Sequence, residues 1–278
     1  MILGPVVFMG KTEIEWTEKV WNPFTGCTKV SEGCKYCYAE RISLRLKEQG
    51  VKKYANGFMP TIHYEAFNIP LRWKEPSLIF VNSMSDIFHE AFPFNVIDEV
   101  FNVMYKADWH IYQILTKRSE RMLEYSRYVS RDKERWERFK TSRHIWLGVT
   151  VENSKRKYRI EHLRMIRKEG VRFISFEPLL EDVGVIDLSG IHWIIIGGEH
   201  HENARVMRGE WVENLIRQAR EQKVKVFFKQ WGGNTKCQCC GSWGCCRYKG
   251  EIIREIPSLN EEKKKKIVLE DFFKQEST

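Results

Sequence analysis

Cys27, Cys34 and Cys37 stand in one loop, Cys27-Thr28-Lys29-Val30-Ser31-Glu32-Gly33-Cys34-Lys35-Tyr36-Cys37, after a strand-like run and before a helix-like one. Thiolates are soft ligands suited to zinc or to iron–sulfur clusters, and three of them fall one short of a closed tetrahedral set. A cluster held by three protein ligands leaves one metal open to chemistry. The loop therefore reads as the cradle of a [4Fe–4S] cluster whose fourth iron takes a small molecule. The competing reading is a structural zinc site completed by a histidine or a distant cysteine, since Cys-x2-Cys knuckles are common in such sites.

A second group, Cys237, Cys239, Cys240, Cys245 and Cys246, places five thiols in ten residues. Four suffice for zinc or for a second iron–sulfur cluster. Disulfides are the weakest reading, because adjacent cysteines such as Cys239 and Cys240 rarely pair and the chain is far longer than a small disulfide scaffold. Clustered thiols of this kind imply a reducing compartment, and a cytoplasmic location is expected.

With 278 residues, 42% of them hydrophobic, the chain can bury a full core and is not a disordered segment. No apolar run approaches the ~18 residues of a membrane span, so no membrane partner is expected. Residues 1–10 read as an N-terminal extension, 1–8 of them preceding a second start at Met9. The formal charge of +9 admits an anionic partner such as DNA or RNA, although with 30% charged residues a solvated surface explains it equally well. Oligomeric state leaves no signal.

The elements that must position the cysteines follow from periodicity. Apolar, β-rich runs lie at 78–81, 111–115, 145–149, 171–175, 193–196 and 224–228. Helix-period stripes separate several of them. Val96, Ile97, Val100, Phe101 and Met104 share a face behind Asn95 as N-cap, and Ile160, Leu163 and Ile166 share another, stopped at Gly170. Trp211, Val212, Leu215, Ile216 and Ala219 form a third. Alternating strands and helices with near-continuously apolar strands imply an α/β fold with a mostly parallel sheet. A partial (β/α) barrel of about six to seven strands is expected over residues 11–233, then a Cys-rich insertion over 234–256 and a terminal helix over 257–278.

Polar groups gather at the C-terminal ends of these runs: Ser83, Ser85 and Asp86; Lys117 and Arg118; Thr150-Val151-Glu152; Glu177; Glu199; Lys229. Parallel β/α folds share those ends along one rim and place their sites there. A barrel brings all of them together with the cysteine loop, whereas an open sheet spreads them. The second cysteine group follows the last strand and is expected near the same rim.

The Cys34-Lys35-Tyr36-Cys37 segment resembles the loop of radical S-adenosylmethionine enzymes, with one departure: six residues separate Cys27 from Cys34, where that superfamily has three. A fuller resemblance is to the phage-type three-Cys-motif family. It runs through Ile14-Glu15-Trp16-Thr17, Trp21-Asn22-Pro23, Gly26-Cys27, Gly33-Cys34, Cys37-Tyr38-Ala39-Glu40, Asn82-Ser83-Met84-Ser85-Asp86, Leu115-Thr116-Lys117-Arg118, Gly197-Gly198-Glu199 and Phe228-Lys229-Gln230-Trp231-Gly232. A weaker likeness links it to the spore photoproduct lyases, radical enzymes acting on DNA.

These resemblances imply a [4Fe–4S] cluster, S-adenosylmethionine and an external electron donor. They imply that Tyr36 lies near the adenine and that Ser83, Ser85 and Asp86 meet the methionine ammonium or the ribose. Lys117 or Arg118 would pair with the carboxylate, and Glu177 and Glu199 are candidate ribose ligands or substrate acids. Gly197-Gly198-Glu199 spells the superfamily's methionine-binding motif, but it follows about the sixth strand rather than the second, so that role does not transfer. Two functions stand: a radical S-adenosylmethionine enzyme, with nucleic acid as one candidate substrate, and a zinc-stabilised nucleic-acid-binding module without catalysis.

Overall fold

In the computed structural model, residue 12 and residues 14–166, 168–235, 237–238 and 244–258 are described. The expected N-terminal extension, Cys239, Cys240 and most of the expected terminal helix lie outside the described residues.

The strands are β1 (Lys19–Trp21), β2 (Phe24–Thr25), β3 (Thr61–Ile62), β4 (Leu78–Val81), β5 (Ile111–Thr116), β6 (Ile145–Thr150), β7 (Arg172–Phe176), β8 (Trp193–Gly197) and β9 (Lys225–Gln230). The helices are α1 (Tyr38–Glu48), α2 (Phe94–Lys106), α3 (Ser119–Val129), α4 (Lys133–Thr141), α5 (Tyr158–Met165) and α6 (Gly209–Glu221). Seven strands form one sheet in the order β1-β4-β5-β6-β7-β8-β9, with every neighbouring pair parallel. β2 and β3 form a separate antiparallel pair. This is the expected α/β partial barrel, a half-barrel of seven parallel strands.

The two faces of each strand bury different things. Ile79, Val81, Tyr112, Ile114, Leu147, Ile174, Ile194, Ile196 and Phe228 pack with α2, α3, α5 and α6 on the outside. The alternate residues Leu78, Phe80, Ile111, Trp146, Phe173, Trp193, Ile195 and Phe227 form a second cluster on the concave side, to which no helix among the described residues contributes. Burial on both faces is why the strands read as continuous apolar runs rather than as alternating ones.

Trp16 floors that concavity. Its ring meets Phe80 of β4 at 4.6 Å and Trp193 of β8 at 6.1 Å, which opposite walls allow only if the sheet curls. The two edges also approach one another through Arg254, which donates to Glu15 at 2.9 Å. Arg254 belongs to a return segment that runs antiparallel beside β9, through the Phe227–Arg254 bridge and the Phe228 N–H donating to Ile253 O at 2.8 Å. The segment covers an edge that would otherwise expose unpaired backbone groups.

α2 begins two residues earlier than expected: Pro93 is its N-cap, and Asn95 lies inside the helix. α5 ends at Met165, with Ile166 already extended, short of the stop expected at Gly170, and the strands start and stop within a residue or two of the apolar runs.

Candidate functional site

The cysteine loop sits at the C-terminal rim. Gly26 forms a parallel bridge with Ser85, just beyond β4, and its N–H donates to Met84 O at 3.0 Å. Gly26 has φ +80°, and a Cβ there would stand 2.2 Å from Met59 O. Glycine is thus required for both conformation and approach. The Cys27 N–H donates to Phe58 O at 3.1 Å. Cys34 ends the short 3-10 turn Glu32–Cys34, and Cys37 is the N-cap of α1. All three sulfurs belong to half-buried residues.

Two adjacent cations from the end of β5 divide between two of these thiols. Arg118 Nη1 donates to Cys27 Sγ at 3.2 Å and lies 3.6 Å from Asp86 Oδ2. Burial, reinforced by the Asp86 charge and only partly offset by Arg118, pushes the Cys27 thiol up to about 11. At Cys34 burial also opposes ionisation, but the Lys117 ammonium and donors from Val30 and Ser31 outweigh it, and its pKa falls below the usual thiol value. One loop therefore holds a thiol that ionises readily and one that gives up its proton only when something replaces it.

The rest of the rim separates into engaged and open groups. Asp86 is buried and accepts from Thr116 Oγ1 at 2.7 Å, the Lys117 N–H at 3.0 Å and the Phe88 N–H at 3.0 Å, which ties the ends of β4 and β5 together. Ser83 exchanges hydrogen bonds with the Asn22 amide at 3.2 Å, and Ser85 donates to Phe24 O at 3.1 Å. Lys117 faces the concavity, beyond Gln113 and Leu115 on the same side of β5, and its Nζ reaches Thr150 Oγ1 at 3.5 Å. Glu177 and Lys229 form an ion pair across β8, beside Gly197, where a Cβ would come within 3.2 Å of the Glu177 carboxyl carbon.

A strap crosses the cysteine loop from the end of β8. Glu199 is buried and paired with Arg205, whose Nε donates to it at 2.9 Å and whose Nη2 donates to Glu32 O at 2.9 Å. His201, on the same strap, stacks on Tyr36. β8 is the sixth strand of the sheet, so Gly197-Gly198-Glu199 does lie where the sequence count put it, away from β4.

A family profile described as "Protein of unknown function (DUF5131)" matches residues 11–268. The chain belongs to the DUF5131 family. No curated protein matches it. Among solved structures, spore photoproduct lyase complexed with dinucleoside spore photoproduct is similar at 12% identity and a TM-score of 0.39 over 78% of this chain. This chain spans 65% of the length of that one. A doubly substituted form of the same lyase, with bound AdoMet and dinucleoside spore photoproduct, gives 12% and 0.37 over 74% of this chain and 62% of that one. At this identity and score the likeness assigns no residue and no reaction.

In this DUF5131 member one rim residue stands out that was noted in sequence only as a strand end. Glu152 is fully buried; its Oε2 accepts from Arg159 Nη1 at 2.8 Å, while its Oε1 has no hydrogen-bond partner among the described residues. That carboxyl group lies directly beneath Gly33, where a Cβ would stand 3.2 Å from it. The spacing Thr150-x-Glu152 on a buried strand was the available signal, since residues two apart share a face.

Of the second cysteine group, Cys245 lies beside the end of β9, its carbonyl accepting from the Trp231 N–H at 3.0 Å, and Cys246 is buried. Among the described residues no three His, Cys, Asp or Glu side chains converge to hold a single metal ion.

Proposed function

We propose that this chain is a radical S-adenosylmethionine enzyme in which Cys27, Cys34 and Cys37 hold a [4Fe–4S] cluster, and that it is of the phage-type three-Cys-motif kind. The observation that carries this is the cysteine loop itself: three thiols, at the mouth of a parallel half-barrel and flanked by Lys117 and Arg118, that among the described residues do not converge on a single metal ion. A lone tetrahedral zinc, with Zn–S of ~2.3 Å, needs its ligands gathered around one point. A cluster takes each thiolate at a different iron, and its net negative charge suits two neighbouring cations.

When bound and reduced, the cluster with S-adenosylmethionine supplies a 5′-deoxyadenosyl radical. The chain's own residues divide the remaining work. Lys117 binds the methionine carboxylate, because Arg118 has its donors committed to Cys27, Glu90 and Thr28. Glu152 offers Oε1 to an ammonium or hydroxyl group of the cofactor, a partner that a buried, half-satisfied carboxylate requires. Tyr36 supplies a ring face for the adenine. Ser83, Ser85 and Asp86 act by holding the rim together, and Glu199 by fixing the strap through Arg205. Glu177 and Lys229 face the substrate inside the half-barrel, above an aromatic floor that excludes water.

The substrate we propose is nucleic acid, consistent with the net charge of +9. The Cys237–Cys246 segment would carry a second cluster or zinc beside the same rim. No helix among the described residues is long and apolar enough to cross a membrane.

Anaerobic iron and sulfide analysis tests the reading. A variant lacking the five C-terminal cysteines should retain roughly four irons per chain, and a further Cys34→Ala change should abolish them. Stoichiometric zinc at the loop, with no iron uptake, would overturn it.

A further inference from the structure

Arg118 is a buried guanidinium in which every nitrogen is engaged within the protein. Nε donates to both Glu90 oxygens, at 2.9 and 3.2 Å; Nη2 donates to Thr28 O at 3.0 Å and to Thr28 Oγ1 at 2.9 Å; Nη1 donates to Cys27 Sγ at 3.2 Å. Its own N–H donates to Thr116 Oγ1 at 2.8 Å, and Thr116 in turn donates to Asp86. The planar fork is thus fixed in place from three sides, with one prong on a cluster-ligand sulfur. A cation held this way is not available to a ligand carboxylate.

We propose that Arg118 is a positioning residue that sets the reduction potential of the iron–sulfur group through Cys27. This rests on the reading of the loop given above and goes beyond it. Charge-assisted hydrogen bonds to a ligating sulfur withdraw electron density from the metal, and outer ligand partners of this kind tune both potential and retention. The reduced state carries one more negative charge, so a cation at the sulfur stabilises it more than the oxidised state and raises the potential. Glu90 is exposed and its charge is screened by solvent. Asp86 Oδ2 lies 3.6 Å from the same Nη1 that donates to Cys27, so its charge opposes the cation at the sulfur, and removing Arg118 would leave that negative charge uncompensated beside it. What Arg118 supplies and a carboxylate cannot is an N–H donated to the sulfur itself, at 3.2 Å.

The arrangement also accounts for the longer gap between Cys27 and Cys34. Thr28, inside that gap, is held by Nη2 of the same arginine and by a 2.9 Å contact between its Oγ1 and His89 Nε2. Arg118 therefore fixes both the ligand and the turn that follows it.

The test is a potentiometric titration of the full-length, anaerobically reconstituted protein, following the electron paramagnetic resonance signal that S-adenosylmethionine perturbs. Dithionite supplies the single electron, and Arg118 neither gains nor loses a proton. The Arg118→Gln variant should show a midpoint shifted to more negative potential, and Arg118→Lys a smaller shift in the same direction. An unchanged midpoint in R118Q with a full complement of iron overturns the proposal and leaves the loop's function standing. If R118Q cannot hold iron, R118K decides: a wild-type potential there overturns the proposal, and a lowered one supports it. Failure of the wild-type chain to take up iron removes the reading of the loop itself, and the proposal with it.

Discussion

The imidazole of His201 lies flat against the phenol ring of Tyr36, with centroids 4.1 Å apart and planes 10° from parallel. Tyr36 immediately precedes Cys37, and His201 comes from a strap more than 160 residues further along. Lys35 and Arg205 also stand over the same ring, at 5.0 and 5.7 Å. The ring that would receive a planar base is therefore already covered by another planar ring.

His201 should then act as a placeholder. Removing it in His201→Ala exposes the ring face, and since an aromatic contact is worth ~0.5–1.5 kcal/mol, the affinity for S-adenosylmethionine should rise by roughly 2- to 10-fold. Tyr36→Ala should lower it by a similar factor. Calorimetric titration reads both; weaker binding in H201A would make His201 part of the site instead.

Gly26→Ala should disable the loop while sparing the barrel. A left-handed conformation costs an alanine ~1–2 kcal/mol, and the added carbon meets Met59 O at 2.2 Å. The variant should keep its far-ultraviolet dichroism and bind well under half the wild-type iron. Full iron uptake would show that the glycine is dispensable.

Glu152 and Arg159 are both buried and bonded at 2.8 Å. Truncating one partner leaves the other charge uncompensated, which typically costs ~3–5 kcal/mol. Glu152→Ala and Arg159→Met should each destabilise the fold by that order in urea unfolding, whereas the Glu152→Met/Arg159→Met pair should recover much of the loss. A cost below ~1 kcal/mol for either single change would mean that water reaches the pair.

Lys168 makes a pH signature far from the rim. Burial, with Arg172 nearby, lowers its pKa to about 7, against ~10.4 for an unfolded lysine. Between those values the unfolded chain binds a proton that the folded chain does not, so stability rises with pH across the window and is lost as pH falls towards 7. The slope attributable to this group is at most ~1.4 kcal/mol per pH unit. Lys168→Met should flatten the rise in melting temperature between pH 7 and 10 relative to wild type; parallel profiles would contradict the burial argument.

The strands were legible because burial on two faces leaves an unbroken apolar run, and the runs at 78–81, 145–149 and 193–196 map onto β4, β6 and β8 almost residue for residue. What fills the inner face was not legible. Trp16 precedes the first strand and floors the half-barrel only because the sheet curls. The same holds for Arg118, whose contact with Cys27 spans 91 residues. Sequence could name the arginine as a rim cation but not its occupant, and the resemblance suggested a ligand carboxylate. The N-terminus of α2 differs from the expectation because Asn95 is a strong cap residue while Pro93 fixes the chain entry two positions earlier. The two-residue strands β2 and β3 are too short to carry any period.

The central claim is that the Cys27–Cys37 loop keeps a metal open for S-adenosylmethionine. The most direct measurement is 5′-deoxyadenosine release by the anaerobically reconstituted, dithionite-reduced chain supplied with S-adenosylmethionine. The account predicts product from the wild-type chain and none from Cys34→Ala, with the variant still folded. Absence of 5′-deoxyadenosine from iron-replete wild-type protein would contradict it.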